Sequence, residues 1–433
     1  MTMACLECLP AEIYLQIFVL VPDLVSLDSL LRASPVAYRV FDNHAVEITD
    51  AVLDSGYTFG HTRVLFRIIA LIRSGTLPIS SLWDFRHRVL KPSMVYRWRV
   101  RGCIGGLTPE KLDQNTTPAV IKSILATARH INCLALDCLA VLLARFRALQ
   151  PEHLADPTAI TYQPWVRCAE NGFSPLWESR PNAVRFQVTD LGHPSWGEEQ
   201  RVLRAFWRLQ LIYDLKRAAT RGQLQWSQTD LTDLEQVAAI SPPDWRQFDD
   251  VKIRLYEIPF GPSSLYDASM HRIIGEEGSS VHPEIEEILS VLDYIGDAYG
   301  ARFARTLAEG KQNYSVLNGP REIQRLWPLP GPCKGKEWKP IVYPSIGVNY
   351  NFRGLSIFAI PEKSAISSKR RVLSFDPYRR VGFAFWSNER MMSHGLHMAP
   401  KEYSPGHVGF AWLSILSPEE ITRVKREVEG KSH

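Results

Sequence analysis

At 433 residues, with 45% hydrophobic and 22% charged side chains, the chain has the composition of a folded soluble protein and the length for a substantial core and more than one structural unit. Its formal net charge of +4 is small for this length, so charge alone does not point to a nucleic-acid partner. Seven scattered cysteines, an odd number, do not make a disulfide framework and fit a reducing compartment, cytoplasmic or nuclear.

The first predicted elements crowd into some forty residues. Leu9-Pro10-Ala11-Glu12-Ile13 opens an apolar helix, with Pro10 in the first turn, where no intrahelical N–H is needed. Pro22-Asp23-Leu24-Val25-Ser26-Leu27 restarts the chain into a second helix, which Asp23 can cap by accepting from the N–H of Val25 or Ser26. Ser34-Pro35 leads into a third short segment ending near Phe41-Asp42-Asn43. In the first helix Leu9, Ile13, Ile17 and Leu20 share one face, while Tyr14, Phe18 and Val21 form a second stripe. Leu24, Leu27, Leu30 and Leu31 repeat the pattern in the second. A unit this small cannot hide all of them, and each large apolar side chain left in water forgoes roughly 1.5–3 kcal/mol of burial. The rest of the chain or another protein must cover the surplus. A signal peptide is excluded by acidic Glu7 and Glu12 and by the lack of Lys or Arg before Arg32, and Ile13 to Val21 is too short to span a membrane.

The ordered pattern Leu-Pro-x-Glu-Ile, then Asp-Leu-x-Ser-Leu, then Ser34, resembles an F-box over roughly residues 6–45. F-boxes are the short helical modules by which substrate receptors dock onto the Skp-family adaptor of SCF ubiquitin ligases. The resemblance implies a three-helix module over 1–45, with adaptor contacts drawn from Leu9, Pro10, Ile13, Ile17, Leu24, Leu27 and Leu30. Some of these would instead form the module's own core. It also implies a cullin recruited through the adaptor and a protein target recruited by the remainder of the chain. The competing reading is an ordinary helical hairpin belonging to the main core.

Downstream, Thr62 to Arg73 has helical spacing and is terminated by Gly75 and Pro78. Thr117-Pro118 starts the strongest long helix, which runs to about Leu149, and its run Ile131 to Leu143 reads as a buried core segment. Residues 151–182 are proline-punctuated and irregular, with a short strand expected at Val184 to Val188. Helices follow at Glu198 to Trp226, Asp230 to Ile240, Pro243 to Tyr256 and from His282-Pro283. Short β-type runs lie at Ile341 to Val348, Leu355 to Ile360 and Val381 to Trp386, and a last amphipathic helix spans Pro418 to Val428. The fold expected is mainly α: the N-terminal module (1–45), a mainly helical body (46–310) and a loop-rich C-terminal segment packed on it (311–433). Asp376 to Trp386, followed by Glu389-Arg390 and Gly395-Leu396, is similar to a segment late in fungal F-box-like proteins. Physically, Phe383 and Phe385 there fit a packed strand. No period of 20–50 residues recurs, so a repeat-built target reader is not expected.

Signals for chemistry are sparse. Cys5-Leu6-Glu7-Cys8 is a lone CxxC with no partner motif, and His394-Gly395-Leu396-His397 reads as surface or helix-end histidines. Arg101-Gly102-Cys103-Ile104-Gly105-Gly106 lacks the Lys-Ser/Thr of a phosphate loop, and Glu284, Glu286 and Glu287 read as a solvated helix start. Arg97, Arg99 and Arg101 alternate as on one strand face, and Ser367-Ser368-Lys369-Arg370-Arg371 is a short basic run. No nucleotide-binding, kinase or hydrolase signature occurs. The expectation is a non-enzymatic receptor with no cofactor or metal, no membrane contact and no nucleic-acid partner. Its target contacts are expected near Trp165, Trp177, Trp196 or Arg379, on loops outside the N-terminal module.

Overall fold

The computed structural model describes residues 6–55, 57–90, 107–155, 167–168, 172–173, 183–237, 283–314, 342–343, 348–349, 376–397 and 405–422. Helix dominates these residues, and the fold is mainly α. The helices are α1 (Ala11–Leu20), α2 (Leu24–Ala33), α3 (Pro35–Asp54), α4 (Gly60–Ser74), α5 (Leu82–Phe85), α6 (Pro118–Arg147), α7 (Trp196–Thr220), α8 (Gln228–Gln236), α9 (Pro283–Tyr299), α10 (Ala301–Ala308), α11 (Asp376–Arg379), α12 (Asn388–Ser393) and α13 (Pro405–Ser414). The strands are short antiparallel pairs: β1 (Glu152–Leu154) with β4 (Ala183–Arg185), β2 (Arg167–Cys168) with β3 (Gly172–Phe173), and β5 (Val342–Tyr343) with β6 (Val348–Asn349). The chain divides into two compact units that cut across the boundaries read at residues 45 and 310.

The first unit takes in the described residues of Met1–Cys138, Glu199–Leu255 and Val291–Trp338. Its N-terminal helices pack through Phe18 and Phe41, whose rings meet edge to face with centroids 6.4 Å apart. The third helix does not stop near Asn43 but continues to Asp54, bending at His44, where φ and ψ leave the helical range. The continuation is stabilised by tertiary contacts. Val46, Ile48, Val52 and Leu53 are buried, and Asp50 receives the Arg67 guanidinium at 3.0 and 2.8 Å and the Leu112 N–H at 3.0 Å. Helix α4 ends at Gly75 in the left-handed region (φ 74°), as its glycine foretold. Phe66 meets the Trp207 ring of α7 at 5.8 Å, Arg73 pairs with Asp214 at 2.9 Å, and the Tyr314 hydroxyl donates to the Phe206 carbonyl at 2.7 Å. Tyr294 donates a short hydrogen bond to Asp137, which accounts for an acidic residue on an apolar helix. By length and composition α6 is apolar enough to cross a membrane, and in the fold Ile121, Ile124, Leu125, Ile131 and Leu134 are buried.

The second unit takes in the described residues of Leu139–Glu198, Tyr256–Ser290 and Lys339–His433. Its centre is aromatic: Phe146 contacts Trp386, Phe383 and His394, and Trp412 packs on Tyr378 and Phe383 with ring centroids 4.8 Å away in both cases. Glu198, fully buried, receives Arg390 at 3.0 and 3.1 Å and the backbone N–H groups of Ser195 and Ser387. Burial works against its ionisation, but the Arg390 guanidinium outweighs it and holds the carboxyl below the usual range.

Three expectations in this unit are corrected. Val381 to Trp386 is a tight turn, not a strand: Gly382 has φ 77°, the Phe385 N–H bonds the Gly382 carbonyl at 2.8 Å, and Trp386 Nε1 donates to Val381 at 2.6 Å. Glu286 and Glu287 are buried rather than solvated, and Arg379 pairs with Glu286, Nη2 to Oε1 at 3.0 Å. His394 sits at the C-terminus of α12 as expected, yet it is buried. Helix continues through residues 418–422 of the expected terminal helix. Pro243 to Tyr256, Leu355 to Ile360, Arg97 to Gly106, Ser367 to Arg371, Trp165 and Trp177 lie outside the described residues.

Candidate docking surface

Local signals set the frame of the N-terminal helices. Pro10 occupies the position just before α1, one residue earlier than expected, and its carbonyl accepts from the N–H groups of Ile13 and Tyr14. Val21-Pro22 separates α1 from α2, and Asp23 caps α2 by accepting from the Ser26 N–H at 2.7 Å. Ser34 ends α2, its N–H bonding the Leu30 carbonyl at 3.1 Å, and starts α3, its Oγ accepting from the Ala37 N–H at 3.2 Å. Pro35 follows in the first turn, where it is tolerated.

The two stripes read on α1 separate as inside and outside. Tyr14, Phe18 and Val21 are buried, while Ile13 is 38% exposed, Val19 59% and Leu20 80%. Pro10 is exposed, and Leu9 and Ile17 are partly so. On α2, Leu24, Leu27 and Leu31 are buried and Leu30 is half-buried. Five of the expected contact residues (Leu9, Pro10, Ile13, Ile17 and Leu30) therefore keep accessible surface, and Leu24 and Leu27 belong to the core. Leu20 and Val19 were not among the expected contacts. Leu20 follows Ile13 by seven residues, and that spacing is the signal that places both on one face. Val19 shares its face with the polar positions Glu12 and Gln16, both exposed, so no apolar periodicity announced it.

Charges around the module brace it. Asp28 on α2 is buried, and burial pushes its carboxyl above the usual value, tempered by Arg32, with Arg129 at 4.0 Å. Lys122 of α6 reaches α3, donating to Asp42 at 2.7 Å and to the Tyr38 hydroxyl at 2.6 Å. Partial burial opposes its charge, but these bonds outweigh it and raise its pKa. Asp54 is likewise held below its usual value despite partial burial, by hydrogen bonds from Lys111 and Arg67. Of the expected target contacts, Arg379 is committed to Glu286 and Trp196 opens α7 half-buried.

What this surface can do chemically is bury apolar area. Among the described residues no group of three or more His, Cys, Asp or Glu side chains is placed to hold a metal ion. Cys8 is an exposed free thiol, and Cys5 lies outside the described residues. His153, by contrast, donates from Nε2 to the Gly395 carbonyl across 2.7 Å, partly buried within the second unit. Comparison with protein-family models, curated proteins and solved structures found no match.

Proposed function

We propose that the chain is a non-catalytic substrate receptor of an SCF-type E3 ubiquitin ligase, docking onto a Skp-family adaptor through its N-terminal helices. The single observation that carries the reading is the outward apolar face of α1, with Leu20 and Ile13 exposed opposite a fully buried Tyr14 and Phe18. Leaving such side chains in water forgoes about 1.5–3 kcal/mol each, which a partner surface recovers. The Leu9-Pro10, Glu12-Ile13, Asp23-Leu24 and Ser26-Leu27 pattern, with Asp23 and Ser34 as caps, supports the choice of partner. A receptor of this kind accelerates ubiquitin transfer by proximity, holding a target near the loaded conjugating enzyme, and needs no reactive residue of its own. The cullin joins through the adaptor, the target through the chain beyond residue 45, and the compartment is cytoplasmic or nuclear.

Co-purification of the full chain with the adaptor and a cullin tests this. Ile13→Asp with Leu20→Asp places two unpaired charges in the apolar contact without touching the core, so adaptor affinity should fall at least about tenfold with the melting temperature unchanged. Undiminished binding by that folded variant overturns the reading. Adaptor binding that never brings a cullin favours an F-box scaffold acting outside ubiquitin ligation.

A further inference from the structure

We infer that Tyr14 and Ser34 form a positioning pair that sets the angle of the docking face, an inference that rests on the adaptor-docking reading. Burial of Tyr14 and Phe18 opposes a large roll of α1, but apolar contacts such as Phe18 on Phe41 are weakly directional and leave small rolls and slides little opposed. Rolling matters here. A turn of one residue position, about 100° in an α-helix, exchanges Ile13, Ile17 and Leu20 for Tyr14 and Phe18 on the outer face. A hydrogen bond resists that motion because it weakens steeply with misalignment.

The Tyr14 hydroxyl meets Ser34 Oγ at 3.0 Å, and both residues are buried. Ser34 is the joint of the module: its N–H closes α2 on the Leu30 carbonyl, and its Oγ opens α3 on the Ala37 N–H. Through one hydroxyl, α1 is therefore registered against the end of one helix and the start of another. Leu30, the half-buried contact residue of α2, shares that joint through its own carbonyl. Four of the side chains that would meet the adaptor, Ile13, Ile17, Leu20 and Leu30, are thus held in one frame although they come from two helices. Tyr14 and Ser34 are buried behind the docking face, so they act through α1.

The test is a calorimetric Kd for the Skp-family adaptor, measured on the full chain at a temperature where every variant is fully folded. Tyr14→Phe keeps the ring and its packing and removes the hydroxyl, and should weaken binding by roughly two- to tenfold, the net worth of one hydrogen bond. Ser34→Ala should weaken it similarly and Ser34→Thr should restore it. The double variant Tyr14→Phe with Ser34→Ala should be less impaired than the product of the two single effects. A purely structural pair would lower the melting temperature of Tyr14→Phe and leave its Kd unchanged, and that result overturns the inference alone. Failure of the unaltered chain to bind any Skp-family adaptor overturns the docking reading and this inference with it.

Discussion

His394 shows what a single residue's surroundings do to its chemistry. Its ring lies 4.2 Å from Phe146, its Nε2 has no hydrogen-bond partner, and burial pushes its pKa down to about 4. The folded state therefore refuses a proton that the unfolded chain accepts below about 6.5. For a group whose folded pKa is depressed, stability is complete above the unfolded value and is lost as pH falls toward the folded one. His153 and His397 are displaced downward by burial too and add to the same slope. Between pH 7 and pH 5 the melting temperature should fall, with His394 contributing about 1–2 kcal/mol of the loss. His394→Leu should make that pH dependence shallower in thermal melts, and an unchanged slope would contradict the assignment. The sequence placed His394 correctly at a helix end, but its burial depends on Phe146, nearly 250 residues away in the chain.

At the scale of elements, the turn at 380–386 is the most instructive departure from expectation. Phe383, Ala384, Phe385 and Trp386 are all fully buried, so the run lacks the alternation of a half-buried strand, and burial on both faces does not distinguish strand from turn. Gly382 decides the matter. Its φ of 77° bends the chain, and a Cβ there would come within 2.9 Å of the Trp386 ring. Gly382→Ala should cost about 1–3 kcal/mol through left-handed strain and displacement of that indole. A drop in melting temperature accompanied by a shift in tryptophan emission would register both effects; a neutral substitution would mean that the turn tolerates a side chain. Helix α3 teaches the converse lesson. Its propensity fades near Asn43, and the Asp50–Arg67 pair together with a buried apolar face carries it onward to Asp54.

At the scale of the whole molecule, neither compact unit is continuous in sequence. In the second unit the described C-terminal residues are built into the fold of earlier ones: the Glu152 N–H bonds Ser414 Oγ at 2.8 Å, Arg390 closes on Glu198, and Phe146 is packed by Phe383, Trp386 and His394. A chain ending near residue 310 should consequently expose Phe146, leave Glu198 buried without its guanidinium, and become insoluble or protease-sensitive. Removing one partner of such a buried pair costs about 3–5 kcal/mol. A cooperative melt and intact limited-proteolysis pattern from that truncation would refute the interdependence described here.

The sequence by itself determined what is local. Asp23 as a cap, Ser34-Pro35 as the lead into a third helix, Gly75 as a stop, Thr117-Pro118 as a start, and the two apolar stripes of α1 follow from backbone geometry and from the 3.6-residue period. Much of the candidate site was legible for that reason, since Ile13, Ile17 and Leu20 share a face by spacing alone. Only the tertiary structure decided which leucines of α2 are covered. Leu24 and Leu27 have the same composition and periodicity as an exposed seam, and they are core because α3 packs against that side. It also decided the partners of Glu286, which reads as a solvated charge, and of Glu198 and Asp50, through Arg379, Arg390 and Arg67. Spacing along a chain reports which side chains share a face of one element. Which face meets another element is settled by contacts between residues far apart in sequence, where no local period reaches.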